Sequence, residues 1–202
     1  MKKCYRFFGG FLNNQENWLN KMAHKGYRLV KTGKLSYEFE EAMPEEYQYA
    51  VEFVAHKSYD KGKDYKCFLE EIGYKVYYKN ANLNYSMGKV KWRPYGKGMG
   101  QISTNPGSYN KELFIVEKKN DGKPFELHTT ITDKADYYKP IRNAWLTITV
   151  LLLCLSFWKY IDVRVFSYET AIFMILGLLS MIPVMKYQKI LSEFSLQAKI
   201  EE

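Results

Sequence analysis

Two charge-free stretches near the C-terminal end constrain this chain more than any other feature. Asn143 to Trp158 reads NAWLTITVLLLCLSFW and Thr170 to Met185 reads TAIFMILGLLSMIPVM, each 16 residues without Asp, Glu, Lys or Arg. A helix crossing about 30 Å of hydrocarbon needs roughly 20 apolar residues. The flanks make up the shortfall. Ile141, Tyr160 and Ile161 extend the first stretch, and Tyr168 and Tyr187 the second. Arg142, Lys159 and Lys186 can reach back to the headgroups with their charged ends. Trp145, Trp158, Tyr168 and Tyr187 stand where interfacial aromatic anchors belong. A pair of buried helices in a soluble protein would show the same pattern, but would need a larger core than the rest of the chain provides. The pattern predicts a transmembrane helical hairpin over residues 141–187, a domain over 1–140 and a tail over 188–202.

The orientation follows from the basic residues near the ends. Lys123, Lys134, Lys139 and Arg142 precede the hairpin, and Lys186, Lys189 and Lys199 follow it. Lys159 and Arg164 alone lie in the connection. Both termini are therefore expected in the cytoplasm, in a two-pass protein of the cell membrane. Neither stretch has an ionisable residue at its centre, which argues against a proton relay. The N-terminal MKKCYRFFGGFLNNQ has no apolar run of the kind a secretory signal requires.

Hydrophobic residues make up 47% of the 202, enough for a packed core. Cys4, Cys67 and Cys154 are odd in number and far apart, so neither a disulfide framework nor a zinc site is expected. Residues 1–140 hold 24 basic and 17 acidic residues, and their pattern alternates between strand and helix. Tyr5 to Phe11 reads as a strand. A helix capped by Asn13 or Asn14 runs to about Lys25, with Trp18, Leu19, Met22 and Ala23 on one face, and Gly26 ends it. Leu29 to Glu40 reads as one extended segment, and Tyr47, Tyr49, Val51 and Phe53 alternate with period two. A second helix covers Asp60 to Ile72 and stops at Gly73, followed by a strand over Lys75 to Lys79. Trp18 and Phe68 are expected to face the sheet.

The order β-α-β-β-α-β is that of a ferredoxin-like split βαβ unit. The fold class expected is therefore α+β: a ferredoxin-like cytoplasmic domain with an added basic hairpin, then the transmembrane hairpin. Gly26-Tyr27-Arg28-Leu29 and Gly73-Tyr74-Lys75-Val76 form a weak internal repeat in support. Two helices on one face would leave the other sheet face open, and the strand tyrosines suit a half-wet face or an interface.

Asn17 to Ala23, Gly26 to Leu29, Tyr37 to Glu40, Pro44 and Tyr47-Gln48-Tyr49 together resemble the bacterial domain of unknown function family 2812. The resemblance covers residues 4–80, with an echo at Glu126 to Thr129 and Tyr137 to Lys139, and the chain departs from the usual pattern over 80–110. It implies a membrane-anchored protein of the kind found in Gram-positive bacteria, often encoded beside PadR-type transcriptional regulators. It brings no catalytic residues.

No HExxH and no His–carboxylate cluster is present around His24, His56 or His128. Gly96 to Gly100 lacks the spacing of a phosphate-binding loop, and Glu40, Glu41, Glu45 and Glu46 read as a solvated acidic turn. No catalytic, cofactor-binding or metal residue is assigned, and no cofactor is expected. Lys75 to Lys111 carries seven basic residues and no acidic one, interleaved with aromatics. Single-stranded nucleic acid binds such stretches, but a membrane-tethered chain meets an anionic inner leaflet first. Lys89, Lys91, Trp92, Arg93 and Lys97 are therefore the expected membrane-surface or ligand contacts. The reading is a non-enzymatic binding or regulatory protein, a sensor or an accessory subunit of a membrane complex, with lipid and either a second copy or another membrane subunit as partners. The alternative is an aromatic-lined small-molecule or lipid-binding module using the open sheet face; an enzyme acting at the membrane surface ranks third.

Overall fold

A computed structural model describes residues 1–54, 59–81, 83, 85–87, 90–92, 102–103, 112–125, 127 and 131–201. The chain is α+β and divides into two compact units, Met1–Thr129 and Thr130–Glu202.

The first unit opens with β1 (Lys2–Tyr5), α1 (Leu12–His24), β2 (Tyr27–Thr32) and β3 (Ser36–Glu41). The first strand ends sooner than its aromatic run suggests. Gly9 and Gly10 both have positive φ, which turns the chain into α1 while Phe8 packs on Trp18 and Tyr37. α1 starts after Phe11 with no side-chain cap. The segment expected as one long strand is a hairpin, closed where Gly33 N–H donates to the Ser36 carbonyl at 2.9 Å. β3 pairs antiparallel with both β1 and β2, in the order β1-β3-β2. Leu29, Tyr37 and Phe39 are buried, with Trp18 of α1 edge-on to the two rings.

A second sheet is built from β4 (Tyr47–Phe53), β5 (Lys75–Lys79) and β9 (Leu113–Lys119), with α2 (Tyr59–Glu71) packed on it. Its order is β4-β9-β5, all antiparallel, with β9 central. The expected single split-βαβ sheet is thus replaced by two sheets of three strands. The physical reason is partner choice: β3 takes both β1 and β2, and β4 and β5 each pair with a strand from far downstream. One face of this sheet carries Val76, Phe114 and Val116 against Leu69, Tyr65 and Tyr74. The other face, with Tyr49, Ile115, Glu117 and Tyr77, turns to β2, so its tyrosines are buried rather than half-wet. α2 makes its contact through Tyr65 and Leu69, one helical turn apart. Phe68, expected on that face, is 51% exposed. The basic hairpin contains β6 (Tyr85–Met87) and β7 (Val90–Trp92), extended by β8 (Ile102–Ser103).

The second unit is α3 (Ile131–Val163) and α4 (Tyr168–Glu201), the first helix beginning ten residues before the hairpin start expected at residue 141. Small and hydroxylated residues join the helices. Thr149 Oγ1 and Ser180 Oγ are 2.8 Å apart, and Ser156 Oγ donates to the Thr170 carbonyl at 3.0 Å. Gly177 abuts Leu153, where a β-carbon would lie 2.8 Å from the Leu153 side chain. Toward the other end Tyr138 packs on Tyr187 and Phe194. Leu191 and Phe194 of α4 are buried.

A candidate binding cleft

Glu16, Asn20 and His24 lie four residues apart on α1 and share one stripe of that helix. The stripe runs along β4, an edge strand whose outward backbone groups need partners. Asn20 provides two: its Nδ2 donates to the Tyr49 carbonyl and its Oδ1 accepts from the Tyr49 N–H, both at 2.8 Å. Glu16 Oε2 accepts from the Val51 N–H at 2.9 Å. The helix thus stands in for a neighbouring strand.

At the end of the stripe His24 Nδ1 meets Glu45 Oε1 at 2.8 Å, both side chains well exposed. Glu45 has φ +63, a left-handed conformation that non-glycine residues adopt at a cost. Three contacts hold it there. Its N–H donates to the Ala23 carbonyl at 3.0 Å, its carbonyl accepts from Asn120 Nδ2 at 2.8 Å, and the Asn120 N–H binds the adjoining Glu46 carbonyl at 2.8 Å. Between the stripe, this turn and residues 120–125 lies a cleft of about 310 Å³, with Tyr47, Gln48, Pro124 and Phe125 completing its walls. The lining combines carboxylates, amides and an imidazole with aromatic surface, which suits a small ligand with hydrogen-bonding groups on a flat body.

Tyr49 links the cleft to a buried polar network. Its hydroxyl donates to Glu117 Oε2 at 2.9 Å and accepts from the Leu29 N–H at 2.8 Å. The Tyr77 hydroxyl donates to the Leu29 carbonyl and lies 3.2 Å from the same Glu117 oxygen. Arg28 Nε and Nη2 donate to Glu117 Oε1 at 3.0 and 2.8 Å. Burial, and then the charge of Glu117, push Tyr49 and Tyr77 far above the ordinary tyrosine pKa. The hydrogen bond to Glu117 holds Arg28 protonated. Groups fixed in these states donate hydrogen bonds and do not exchange protons near neutrality. The network therefore locks the two sheets together. Nearby, burial lowers Lys79 to a pKa of about 8; its Nζ donates to the Gly33 and Lys34 carbonyls at 2.6 and 2.9 Å.

Sequence reasoning read His24 and Glu45 as solvated and did not pair them. The four-residue spacing of Glu16, Asn20 and His24 was the available signal. Of the expected surface contacts, Lys89, Arg93 and Lys97 lie outside the described residues, as do His56, His128 and Gly96 to Gly100. Lys91 and Trp92 are in β7, with Lys91 opposite Ser86 and Ser103, and Trp92 opposite Tyr85 and Ile102. Of the expected interfacial anchors, Trp158 and Tyr168 are 70% and 76% exposed, whereas Tyr187 is buried against Tyr138. Trp145 is half-buried.

A family model described as "Protein of unknown function (DUF2812)" matches residues 11–150. The chain belongs to this family. The DUF2812 match takes in all the cleft residues and the Arg28–Glu117 network, runs through residues 80–110, and ends inside α3. No curated protein and no solved structure matches the chain.

Proposed function

We propose that this DUF2812 protein is a membrane-anchored binding or regulatory protein, a sensor or an accessory subunit of a membrane complex, with no chemistry of its own. The observation that carries the anchor is the surface of the two long helices. Lys134–Asp162 and Tyr168–Gln197 are long and apolar enough to cross a membrane, and only 11% and 17% of their most apolar windows are buried. Core helices of a soluble protein would be mostly buried. Leu151, Leu155, Ile175, Leu178, Leu179 and Ile182 are among the apolar side chains left outward, and hydrocarbon is the medium that suits them. The distribution of Lys and Arg supports both termini in the cytoplasm. The partners are anionic inner-leaflet lipid, met in part by the basic segment around Lys89 to Lys97, and a second copy or another membrane subunit.

A second reading, a small-molecule-binding module, is favoured by the cleft beside Tyr47 and Phe125. Native mass spectrometry of the protein taken from its own membranes separates the two. A stoichiometric protein partner supports the accessory-subunit reading; a retained small molecule, lost in a His24→Ala/Asn120→Ala variant, supports the module. Orientation is read by labelling Val165→Cys with an impermeant reagent. Modification from outside is expected, and modification only after lysis would reverse the topology.

A further inference from the structure

We infer that the outer face of the β1-β3-β2 sheet docks on an anionic lipid bilayer, which rests on the membrane anchorage proposed above. Side chains alternate across this sheet. Leu29, Tyr37 and Phe39 turn inward and are buried. Lys3, Tyr5, Lys31, Ser36 and Glu38 take the opposite face: the register sets Lys3 and Lys31 on either side of Glu38, and Tyr5 opposite Ser36. At the end of the sheet the Arg6 N–H donates to the Leu35 carbonyl at 2.9 Å. Three bulky side chains stand in solvent there: Tyr5 at 71%, Phe7 at 61% and Leu35 at 41% exposure. Phe7 points out because Phe8 points in, onto Trp18 and Tyr37.

An exposed apolar patch with a polar rim marks an interaction surface, and this rim is cationic. Lys3, Lys31 and Lys34 belong to it, whereas the Arg6 guanidinium lies over the Trp18 ring on the inner side. The carboxylate of Glu38 faces the same way and is met by Lys3 at 3.2 Å. The register also puts Glu40 on this face, where Arg28 meets it at 3.7 Å, so Lys31 and Lys34 leave the face net positive. A bilayer with anionic headgroups matches both features. Its interface accepts aromatic rings, and each Lys or Arg within a Debye length of it raises the partition about fivefold. An acidic protein would match the cations but would also need a shaped apolar pocket for Phe7 and Leu35. A fluid surface needs none.

The test uses the full chain in nanodiscs, with Cys4, Cys67 and Cys154 replaced by Ser. One fluorophore is attached through Leu35→Cys, or through Glu71→Cys on α2 as the reference, and is quenched by spin-labelled lipid. In discs of phosphatidylcholine with phosphatidylglycerol, position 35 is expected to be quenched several-fold more than position 71. The excess should vanish in phosphatidylcholine alone, in a Lys3→Glu/Lys31→Glu variant, and in a Tyr5→Ser/Phe7→Ser variant that keeps every charge. Equal quenching at the two positions, or an excess indifferent to phosphatidylglycerol, overturns the docking while leaving the anchor standing. A chain recovered outside the discs overturns the anchor, and the docking with it.

Discussion

Arg28 and Glu117 are 89 residues apart in the chain and 2.8 Å apart in the fold. The carboxylate is only 2% exposed, and its partners are that guanidinium and the Tyr49 and Tyr77 hydroxyls. Removing one member of a buried pair typically costs about 3–5 kcal/mol, because the other charge is left without compensation. Arg28→Ala should therefore lower the denaturation midpoint strongly, read by tryptophan emission of the full chain in micelles. The double replacement Arg28→Met/Glu117→Leu should recover much of the loss. A midpoint unmoved by Arg28→Ala would show that the pair does not hold the sheets.

Lys79 gives a pH dependence with a definite sign. Its folded pKa, about 8, lies below the ordinary 10.5. Between those values the unfolded chain binds more protons than the folded one, so this residue's contribution to stability rises with pH. Below pH 8 its burial penalty is present in full; above 10.5 it has been relieved. The stability difference between wild type and Lys79→Met, from denaturant titrations, should grow in favour of wild type from pH 7 to pH 10. A flat difference would mean the ammonium is better solvated than its 2% exposure implies.

Two glycines should respond in opposite directions to the same substitution. Gly26 has φ +78, and a β-carbon there would lie 2.9 Å from the Ala42 carbonyl oxygen. Gly26→Ala should cost about 1–3 kcal/mol. Gly62 lies inside α2 with nothing within 4 Å of its β-carbon position. Gly62→Ala should add about 0.5–1 kcal/mol through helix propensity. Thermal melts of both variants check the pair, and a common sign would contradict the local geometry.

Thr149 and Ser180 join the long helices through hydroxyls 2.8 Å apart. Hydrogen bonds between membrane helices average about 0.6 kcal/mol in double-mutant cycles. A cycle of Thr149→Val and Ser180→Ala, measured by steric trapping in bicelles, should return a coupling of about that size. Zero coupling would leave the Gly177–Leu153 approach as the main contact at this level.

The elements with a strong period were legible. Both long helices, α2, β5 and the Leu19, Met22 and Ala23 face follow directly from the spacing of apolar residues. What failed was pairing. The reversal falls in the polar run Lys31-Thr32-Gly33-Lys34, and the alternation of Leu35, Tyr37 and Phe39 beyond it masks the turn. On α2 the expected face of Tyr65, Phe68, Leu69 and Ile72 is narrower in the fold: Tyr65 and Leu69 pack on the sheet, and Phe68 and Ile72 are exposed. The cleft was the least legible feature. His24, Glu45 and Asn120 come from three distant segments, and each alone reads as an ordinary surface residue. Tyr49 and Tyr77 looked like components of a wet face because nothing local announces that Leu29 will cover their hydroxyls.

β9 carries a consequence for the order of events in the cell. β4 and β5 do not pair with each other; each pairs with β9, the last strand of its unit. Synthesis runs from the N-terminus, and a strand cannot join a sheet before its neighbour exists. β4 and β5 must wait for Leu113 to Lys119, and α3 begins at Ile131, twelve residues later. The sheet therefore closes in the same short interval of translation in which the first long apolar helix is made. On the proposed anchorage, completion of the first unit and delivery to the bilayer are adjacent steps, and a delay in either exposes the same two unpaired strands.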